Sequence, residues 1–384
     1  MAPKTATKMQ KVKAGLEEKS AASRSSQPAE ESHYPGKWFA LCVFFAGLSS
    51  LYYWYTSYQA SASLSYVPSE SGTSNVGEPP VFKVVDIPGK GKGILAERDI
   101  KQGELVLKEK PLFVVPRDIT SSPAALIYNK LQLMTAEQRR AYLDLSYVNF
   151  SEDLDPVKNP SEVALAIFQT NAVSAGENVG IFPRMARLNH GCSSAFNVVY
   201  NWRHYEQQLV VHALKDIKKG EELLTTYTDT KRPKAERRTF LASRYGFQCT
   251  CYVCSLPPQL SKASDSRLSE ISKLYGEFAS WSAQKIDGNE AIEMIRKIWN
   301  IEDQEGYLSE RGSLAADAVW IAAAHSDSER VREWGLLAMR WFSNEIGADT
   351  PQVKDMERYV SRPETHKAWG TRSRLDVGAP GRSR

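Results

Sequence analysis

Apolar and polar residues begin to alternate at residue 81, and the pattern predicts a β-rich core. Residues 81–85 alternate and are rich in β-branched side chains, and short apolar runs follow at 94–96 and 105–107. Turns containing glycine separate these runs, as expected between antiparallel strands. Strands are predicted to resume later in the chain at 196–200, 208–214 and 222–227. Short strands separated by turns favour an α+β fold over a doubly wound parallel sheet.

Helical patterns interrupt this core and also follow it. In a helical insertion at about 120–170, Thr135 and Gln138 have the spacing of a capping box, and residues 161–168 predict another helix. From residue 262 to 360, apolar residues such as Leu268 and Ile271 recur at helical spacing. The sequence therefore predicts a helical C-terminal region after the β-rich core.

The regions outside the core differ from it in composition. Residues 1–36 are rich in Lys, Ser, Glu and Ala and are predicted to be disordered, residues 59–80 are predicted to be a linker, and residues 361–384 a disordered tail. Residues 37–58 are mostly apolar, with Trp and Tyr near the ends, as in a membrane-spanning helix. We predict a membrane anchor there, while a cleaved signal peptide and a soluble core helix stay open as alternatives.

Composition narrows the classes of partner. The chain has 49 basic and 45 acidic residues, a net charge of +4, which gives no case for a general nucleic-acid binder. We therefore expect no direct sequence-specific binding to nucleic acid. The hydrophobic content of 42% suits a globular core.

Four of the five cysteines have the spacing of a metal site. Cys249, Cys251 and Cys254 form a C-x-C-x-x-C run, and Cys192 lies far upstream. Four thiolates are the ligands of a closed, tetrahedral structural zinc site, and thiols in this pattern indicate a reducing compartment. Two disulfides or plain buried thiols are the alternatives, although C-x-C is too short for an easy internal disulfide.

Four motifs in order carry a family resemblance. They are Gly91-Lys92-Gly93, Asn189-His190-Gly191-Cys192, the run from Glu222 to Tyr227, and the run from Tyr245 to Cys254. The sequence resembles SET-domain protein-lysine methyltransferases, and most of all the SET-and-MYND group and related fungal proteins, without a MYND finger. The resemblance implies a SET domain at 81–245 that contains the helical insertion, and a post-SET zinc element at 246–257.

The resemblance also implies a reaction and the residues that perform it. Members of the family transfer a methyl group from S-adenosylmethionine to a lysine of a protein partner, histone or non-histone. It implies catalytic roles for Tyr227 and Tyr245, a structural zinc on the four cysteines, and cofactor binding by Lys90, Lys92, Gly93, Asn171, Asn189, His190 and Phe247. Core packing beside the zinc element is the alternative for Tyr245 and Phe247, and a helix-terminal asparagine is an equally ordinary explanation for Asn171.

One motif departs from the family pattern. The family continues as Asn-His-Ser-Cys-x-Pro-Asn, whereas this chain has Gly191 for the serine and Ser194 and Ala195 for Pro-Asn. Asn197 comes two residues later and is not expected to substitute without a shifted loop. An active enzyme is favoured, and a non-catalytic SET scaffold that binds proteins is the alternative.

Location is the least settled prediction. We predict a protein anchored in a membrane through residues 37–58, with its orientation open. The charges that flank residues 37–58 favour a SET domain on the side of the membrane opposite the cytosol. The supply of adenosylmethionine and the need for reduced zinc thiolates favour the cytosol or nucleus instead. A secreted or lumenal protein and a nuclear or cytoplasmic one are the alternatives.

Overall fold

A glycine-rich turn builds the first hairpin of the fold. The computed structural model describes residues 80–119, 121–148 and 150–381. Strand β1 (Phe82–Ile87) pairs antiparallel with β2 (Gly91–Ala96). Gly89 and Gly91 in the turn have φ of 75° and 70°, a region that side chains with a Cβ avoid. The turn therefore depends on glycine at these two positions.

The remaining strands form three small sheets. The order β3-β9-β8 makes one antiparallel sheet, and β4-β6-β5 makes another. A two-residue parallel pair, β7 with β10, joins the segment at Asn189 to the segment at Leu224. The strands are β3 (Leu105–Glu109), β4 (Phe113–Pro116), β5 (Val173–Ala175), β6 (Asn178–Ile181), β7 (Asn189–His190), β8 (Val198–Arg203), β9 (Gln208–Ala213) and β10 (Leu224–Thr225).

The helical insertion packs on the second sheet. It consists of α1 (Pro123–Gln132), α2 (Ala136–Leu143) and α3 (Pro160–Asn171). The predicted capping box is present, since Thr135 and Gln138 bond each other's backbone N–H groups. Tyr142 is fully buried and donates its hydroxyl to the Ala164 carbonyl oxygen at 2.7 Å, which ties α2 to α3.

Six α-helices follow β10 in the part of the chain that the structure describes. They are α4 (Lys234–Tyr245), α5 (Pro258–Phe278), α6 (Gly288–Glu305), α7 (Arg311–Ala324), α8 (Ser328–Glu345) and α9 (Pro351–Ser361). The alanine-rich α7 lies inside this region, with Ala315, Ala318 and Ala322 all inaccessible to solvent. Small side chains let the neighbouring helices approach it closely. The prediction of helices from 262 to 360 agrees with these elements, and α4 was not predicted.

The C-terminal segment is ordered, contrary to the prediction of a disordered tail from residue 361. Val377 is 4% exposed, and its N–H donates to Asp327 at 2.9 Å. The indole N–H of Trp334 donates to the Gly378 carbonyl oxygen at 3.0 Å. The polar composition led to a wrong prediction because the backbone N–H and C=O groups of this segment form hydrogen bonds with buried side chains. Residues 382–384 lie outside the described part.

The predictions about a membrane are also corrected. Across residues 80–119, 121–148 and 150–381, no helix combines the length and the apolar character needed to traverse a bilayer. The longest, α5 with 21 residues, carries charged side chains from Lys262 to Glu277. We therefore withdraw the predictions of a transmembrane helix, a membrane partner and a membrane-anchored location. The segment 37–58, the N-terminal tail 1–36 and all but the last residue of the linker 59–80 lie outside the described residues.

Candidate active site and metal centre

The four cysteine sulfurs predicted to bind zinc meet in one cluster. The Sγ atoms of Cys192, Cys249, Cys251 and Cys254 all lie within 4.8 Å of one another, and all four thiols are free of disulfides. Cys192 Sγ lies 3.6 Å from Cys254 Sγ and 4.0 Å from Cys249 Sγ. A tetrahedron with Zn–S bonds of about 2.3 Å has sulfurs about 3.8 Å apart. The cluster therefore fits a closed four-thiolate zinc site.

The electrostatics of this cluster also suit a cation. Hydrogen bonds from the neighbouring thiols, first that of Cys192, lower the pKa of Cys251. Hydrogen bonds with the other thiols, first that of Cys249, raise the pKa of Cys192, and its burial acts in the same direction. Without a metal ion, most of the four thiols would therefore stay protonated, and a bound metal ion would displace their protons.

The backbone explains why these residues meet. Cys192 follows β7, which pairs with β10, so its sulfur lies beside the segment that carries Tyr227. Helix α4 ends at Tyr245, and Gly246 with φ of 69° reverses the chain after it. This left-handed helix cap delivers Phe247 and the C-x-C-x-x-C run to the sulfur of Cys192.

His190 connects the sulfur cluster to Tyr227. Its Nδ1 accepts the backbone N–H of Tyr227 at 3.0 Å, and its Nε2 lies 3.1 Å from Cys192 Sγ. Burial lowers the pKa of His190 to about 4, so the ring is neutral at physiological pH. Because Nδ1 is an acceptor, the single proton is on Nε2 and points at the sulfur. His190 is therefore a hydrogen-bonded bridge, and no metal ligand role is needed for it.

Three aromatic side chains surround this bridge. The Tyr227 ring centroid lies 5.0 Å from that of Tyr245, 6.5 Å from Phe247 and 5.4 Å from His190. The Tyr227 hydroxyl donates to the Leu188 carbonyl oxygen at 2.6 Å, which fixes the orientation of the ring. All three aromatic residues are only partly buried, unlike the core residue Phe182 at 0% exposure. These three residues therefore keep part of their surface exposed.

A polar network adjoins the aromatic group. Asn189 Nδ2 donates to Glu222 at 2.9 Å, and Lys90 Nζ pairs with the other oxygen of Glu222 at 2.5 Å. A Cβ on Gly93 would lie 2.7 Å from Asn189 Nδ2 and would also clash with the Ile87 side chain. Glycine at 93 thus lets the Ile87 and Asn189 side chains pack against the hairpin as they do here. Glu222 was not predicted as a site residue, although it lies inside the quoted motif.

Two predicted cofactor residues make contacts apart from this network. Lys92 Nζ pairs with Asp144 at 2.8 Å, and the hydrogen bond from Lys92 is the main reason that the pKa of Asp144 is lowered. Asn171, at the end of α3, donates its amide to the carbonyl oxygens of Ser146 and Ile167 at 2.7 and 2.8 Å. Their roles as cofactor residues stay predictions.

Comparisons with known proteins identify the family of this chain. Residues 91–228 match the family model described as SET domain. The chain is 30% identical over 292 residues to histone-lysine N-methyltransferase set5 of Schizosaccharomyces pombe, covering 75% of this chain and 86% of that protein. This chain belongs to the SET-domain family. It is a protein-lysine N-methyltransferase, and the predicted SET fold with a helical C-terminal region is confirmed.

Matches to the SET-and-MYND group are local. Human histone-lysine N-methyltransferase SMYD3 is 37% identical over 84 residues, which cover 22% of this chain and 19% of that protein. Human N-lysine methyltransferase SMYD2 is 36% identical over 94 residues, covering 24% and 20% respectively. The set5 protein of S. pombe is thus similar over far more of the chain. The predicted resemblance to the SET-and-MYND group and to fungal SET proteins is confirmed by both kinds of match.

The structure also resolves the departure in the SET motif. Asn197 Nδ2 donates to the Glu222 carbonyl oxygen at 2.9 Å, and its Oδ1 accepts the Leu224 N–H at 2.8 Å. It therefore ties the motif loop, residues 189–197, to β10. Between Cys192 and Asn197, residues Ser193–Ala195 form a 3₁₀ turn. We call this segment, Ser193–Ala195, the motif turn.

Gly191 belongs to the same change. A Cβ at this position would lie 2.8 Å from the Phe196 backbone nitrogen and 2.9 Å from the Ala195 carbonyl carbon. The serine of the family pattern would clash with the end of the motif turn. Gly191, the motif turn and the later position of Asn197 are thus one coordinated departure from the usual SET motif.

Proposed function

We propose that this SET methyltransferase uses S-adenosylmethionine as its methyl donor and methylates a protein lysine that enters beside Tyr227, Tyr245 and Phe247. The observation that carries the proposal is the partly exposed aromatic group, joined through His190 to the Asn189 strand and the sulfur cluster. His190 contacts the aromatic group and also belongs to the motif loop. The lysine acceptor and the methyl donor would therefore both bind next to this residue.

The aromatic group suits the chemistry of the acceptor. A lysine with a pKa near 10.4 is only about 0.04% neutral at pH 7, and only the neutral amine attacks a methyl group. Ring faces attract the incoming ammonium by cation–π interaction, and the low-dielectric surroundings then favour loss of its proton. Burial raises the pKa of Tyr227, so this residue stays a phenol and acts as an oriented dipole, not as the base. The proton therefore leaves to solvent.

The remaining residues hold the partners in place. When bound, S-adenosylmethionine supplies an electrophilic methyl group on a sulfonium. Asn189 and His190, in the motif loop, would orient this methyl donor. The ring of Phe247 packs against the ring of His190, with centroids 6.3 Å apart. Lys90 is held by Glu222 in this structure, so a role in binding the cofactor carboxylate requires exchange of that ion pair.

The zinc ion proposed for the sulfur cluster is structural. Four thiolates fill a tetrahedral shell and leave no position for water or substrate. Its part is to hold the segment of Tyr245 and Phe247 against the loop of Asn189 and His190. Proper alignment of reacting groups is itself a large share of catalysis.

The substrate class rests on the relatives. The S. pombe set5 protein is named a histone-lysine N-methyltransferase, and SMYD2 an N-lysine methyltransferase. We propose a protein lysine as acceptor, with histones as the first substrates to test. The acceptor channel itself recognises a lysine side chain and leaves the surrounding sequence open.

A pair of tyrosine variants tests the proposal. With tritiated S-adenosylmethionine and core histones or a protein lysate, Tyr227→Phe should lower labelling by at least tenfold. Tyr142→Phe is the control, because it loses the same kind of hydroxyl-to-carbonyl bond, 2.7 Å against 2.6 Å, in the separate core of the helical insertion. Tyr142→Phe should lower stability but keep labelling. Equal labelling by wild type and Tyr227→Phe would contradict the role of Tyr227, and no labelling by the wild type would favour a binding scaffold.

A further inference from the structure

The end of helix α6 contacts the motif turn of the SET domain through a buried carboxylate. Glu305 is 7% exposed, and one of its oxygens accepts the Ser193 hydroxyl at 3.0 Å. The same oxygen accepts the Ser264 hydroxyl of α5 at 2.6 Å, and Arg267 pairs with the other oxygen at 2.8 Å. The carboxylate therefore joins two helices of the C-terminal region to Ser193 in the motif turn.

Packing around this bond is close. A Cβ on Gly306, which follows Glu305, would lie 3.2 Å from Ser194 Cβ. The Tyr307 ring meets the Phe196 ring edge-on, with centroids 5.7 Å apart. Lys215 donates to the Ser194 carbonyl oxygen at 2.8 Å. The motif turn is thus held on several sides, and Glu305 supplies its charged, directional contact.

The motif turn needs such support. Ser193 has φ of 45°, in a region that residues other than glycine and asparagine seldom adopt. The turn also has Ser194 where the family pattern has a proline, whose ring would fix φ. A backbone that lacks this internal restraint keeps one conformation only where its surroundings impose it.

We propose that Glu305 is a positioning residue for the methyltransferase reaction. Through Ser193 it holds the motif turn, and so places Cys192 and His190 on one side and Asn197 on the other in their productive arrangement. In this protein the C-terminal helical region thereby replaces, by an external contact, the restraint that Pro-Asn gives inside the usual motif. The part that concerns cofactor affinity rests on the proposed function, since it assumes that this loop binds S-adenosylmethionine.

A matched pair of serine variants tests the inference in the full chain. Ser193→Ala and Ser264→Ala each remove one hydroxyl from the same carboxylate oxygen, and both serines are almost fully buried at 1% and 2% exposure. Only the first variant removes the hydrogen bond between the motif turn and Glu305. In calorimetric titration with S-adenosylmethionine, Ser193→Ala should raise Kd by roughly fivefold to tenfold, within what a hydrogen bond to a charged group contributes. Ser264→Ala should stay within twofold of the wild type.

Steady-state kinetics separate positioning from a general loss of structure. Ser193→Ala should raise KM for S-adenosylmethionine, with kcat at saturation within twofold, while the thermal midpoints of the two variants fall by similar amounts. If alanine at 193 prevents folding, Ser193→Gly removes the same hydroxyl and suits the positive φ, and the same rise in Kd is expected. Equal Kd values for the Ser193 and Ser264 variants would overturn the inference.

A second measurement is independent of the cofactor. Hydrogen exchange of the peptide that spans residues 188–198 should be at least tenfold faster in Ser193→Ala than in Ser264→Ala, because the amides of Gly191, Ala195 and Asn197 lie in the loop that loses its anchor. Equal exchange would overturn the anchoring role. If the wild type bound no S-adenosylmethionine but the exchange rates differed, the proposed function would fail while the positioning of the turn would stand.

Discussion

Restoring the family serine at Gly191 should damage this protein. The Cβ of Gly191→Ser would lie 2.8, 2.9 and 3.1 Å from the Phe196 nitrogen, the Ala195 carbonyl carbon and the Ala195 oxygen. All three are backbone atoms, which cannot rotate away as the end of a side chain can. Residue 191 cannot retreat either, since its N–H donates to the Thr225 carbonyl oxygen at 2.8 Å.

The size of the effect follows from this crowding. Forcing additional atoms into a packed region costs about 1–3 kcal/mol. At about 2–4 °C per kcal/mol, the thermal midpoint should fall by roughly 2–12 °C. Because the displaced turn lies between Cys192 and Asn197, cofactor affinity should fall with stability. Thermal unfolding followed by fluorescence, and titration with S-adenosylmethionine, measure the two effects.

Gly276→Ser is the matched control. Gly276 lies within α5 and no heavy atom would lie within 4 Å of its Cβ. Serine has a higher helix propensity than glycine, so this variant should be as stable as the wild type or slightly more stable. Deleting Ser193 and Ser194 places Asn197 at the family spacing, and Gly191→Ser should cost less in that shortened loop. An unchanged thermal midpoint in Gly191→Ser would refute the inference that glycine at 191 and the motif turn depend on each other.

Three further predictions concern the zinc ion, the contact of His190 with the zinc ligand Cys192, and the buried carboxyl group of Glu345. Metal analysis should find one zinc ion per chain, and a strong chelator should lower the thermal midpoint and abolish cofactor binding together; retention of full cofactor affinity after zinc removal would be contrary to this. His190→Phe should weaken zinc binding by about 10–100-fold, the usual cost of losing a hydrogen-bonded partner of a metal ligand, in competition with a chromogenic chelator; Trp202→Phe, on β8, is the comparison that should keep zinc affinity. Burial raises the pKa of Glu345 to about 7, against about 4.3 in an unfolded chain. The folded state therefore binds the additional proton between these values, and stability at this site falls as pH rises from about 4.3 to about 7. Glu345→Gln should flatten that fall in urea unfolding at pH 5 and pH 8, and an unchanged slope would contradict the assignment.

Several parts of the candidate site could be predicted from local sequence. The C-x-C-x-x-C spacing with a distant Cys192 predicted the sulfur cluster, because few other structures require four thiols in this pattern. The order of the four motifs predicted the SET family and, with it, Tyr227 next to Tyr245. The hairpin at residues 82–96 and the capping box at Thr135 follow from turn chemistry and from a side-chain spacing of three, both of which act within a few residues.

Other features were decided only when distant segments met. The short strands β4, β5 and β6 carry too few residues for a clear alternating pattern, and they depend on mutual pairing. The segment after residue 361 was misread from its polar composition, since its contacts with Asp327 and Trp334 are made through the backbone. The pairing of Lys90 with Glu222 joins positions 132 residues apart, which no local pattern records.

The sequence by itself determined the family, the thiol quartet and the aromatic residues of this methyltransferase. It also showed that the motif departs from its family at Gly191 and after Cys192. Only the tertiary structure decided how that departure is accommodated, by a 3₁₀ turn that brings Asn197 to β10 and a carboxylate on α6 that holds the turn. The reason is physical: a residue's side-chain chemistry is local, whereas the support of a strained turn comes from whatever element packs against it.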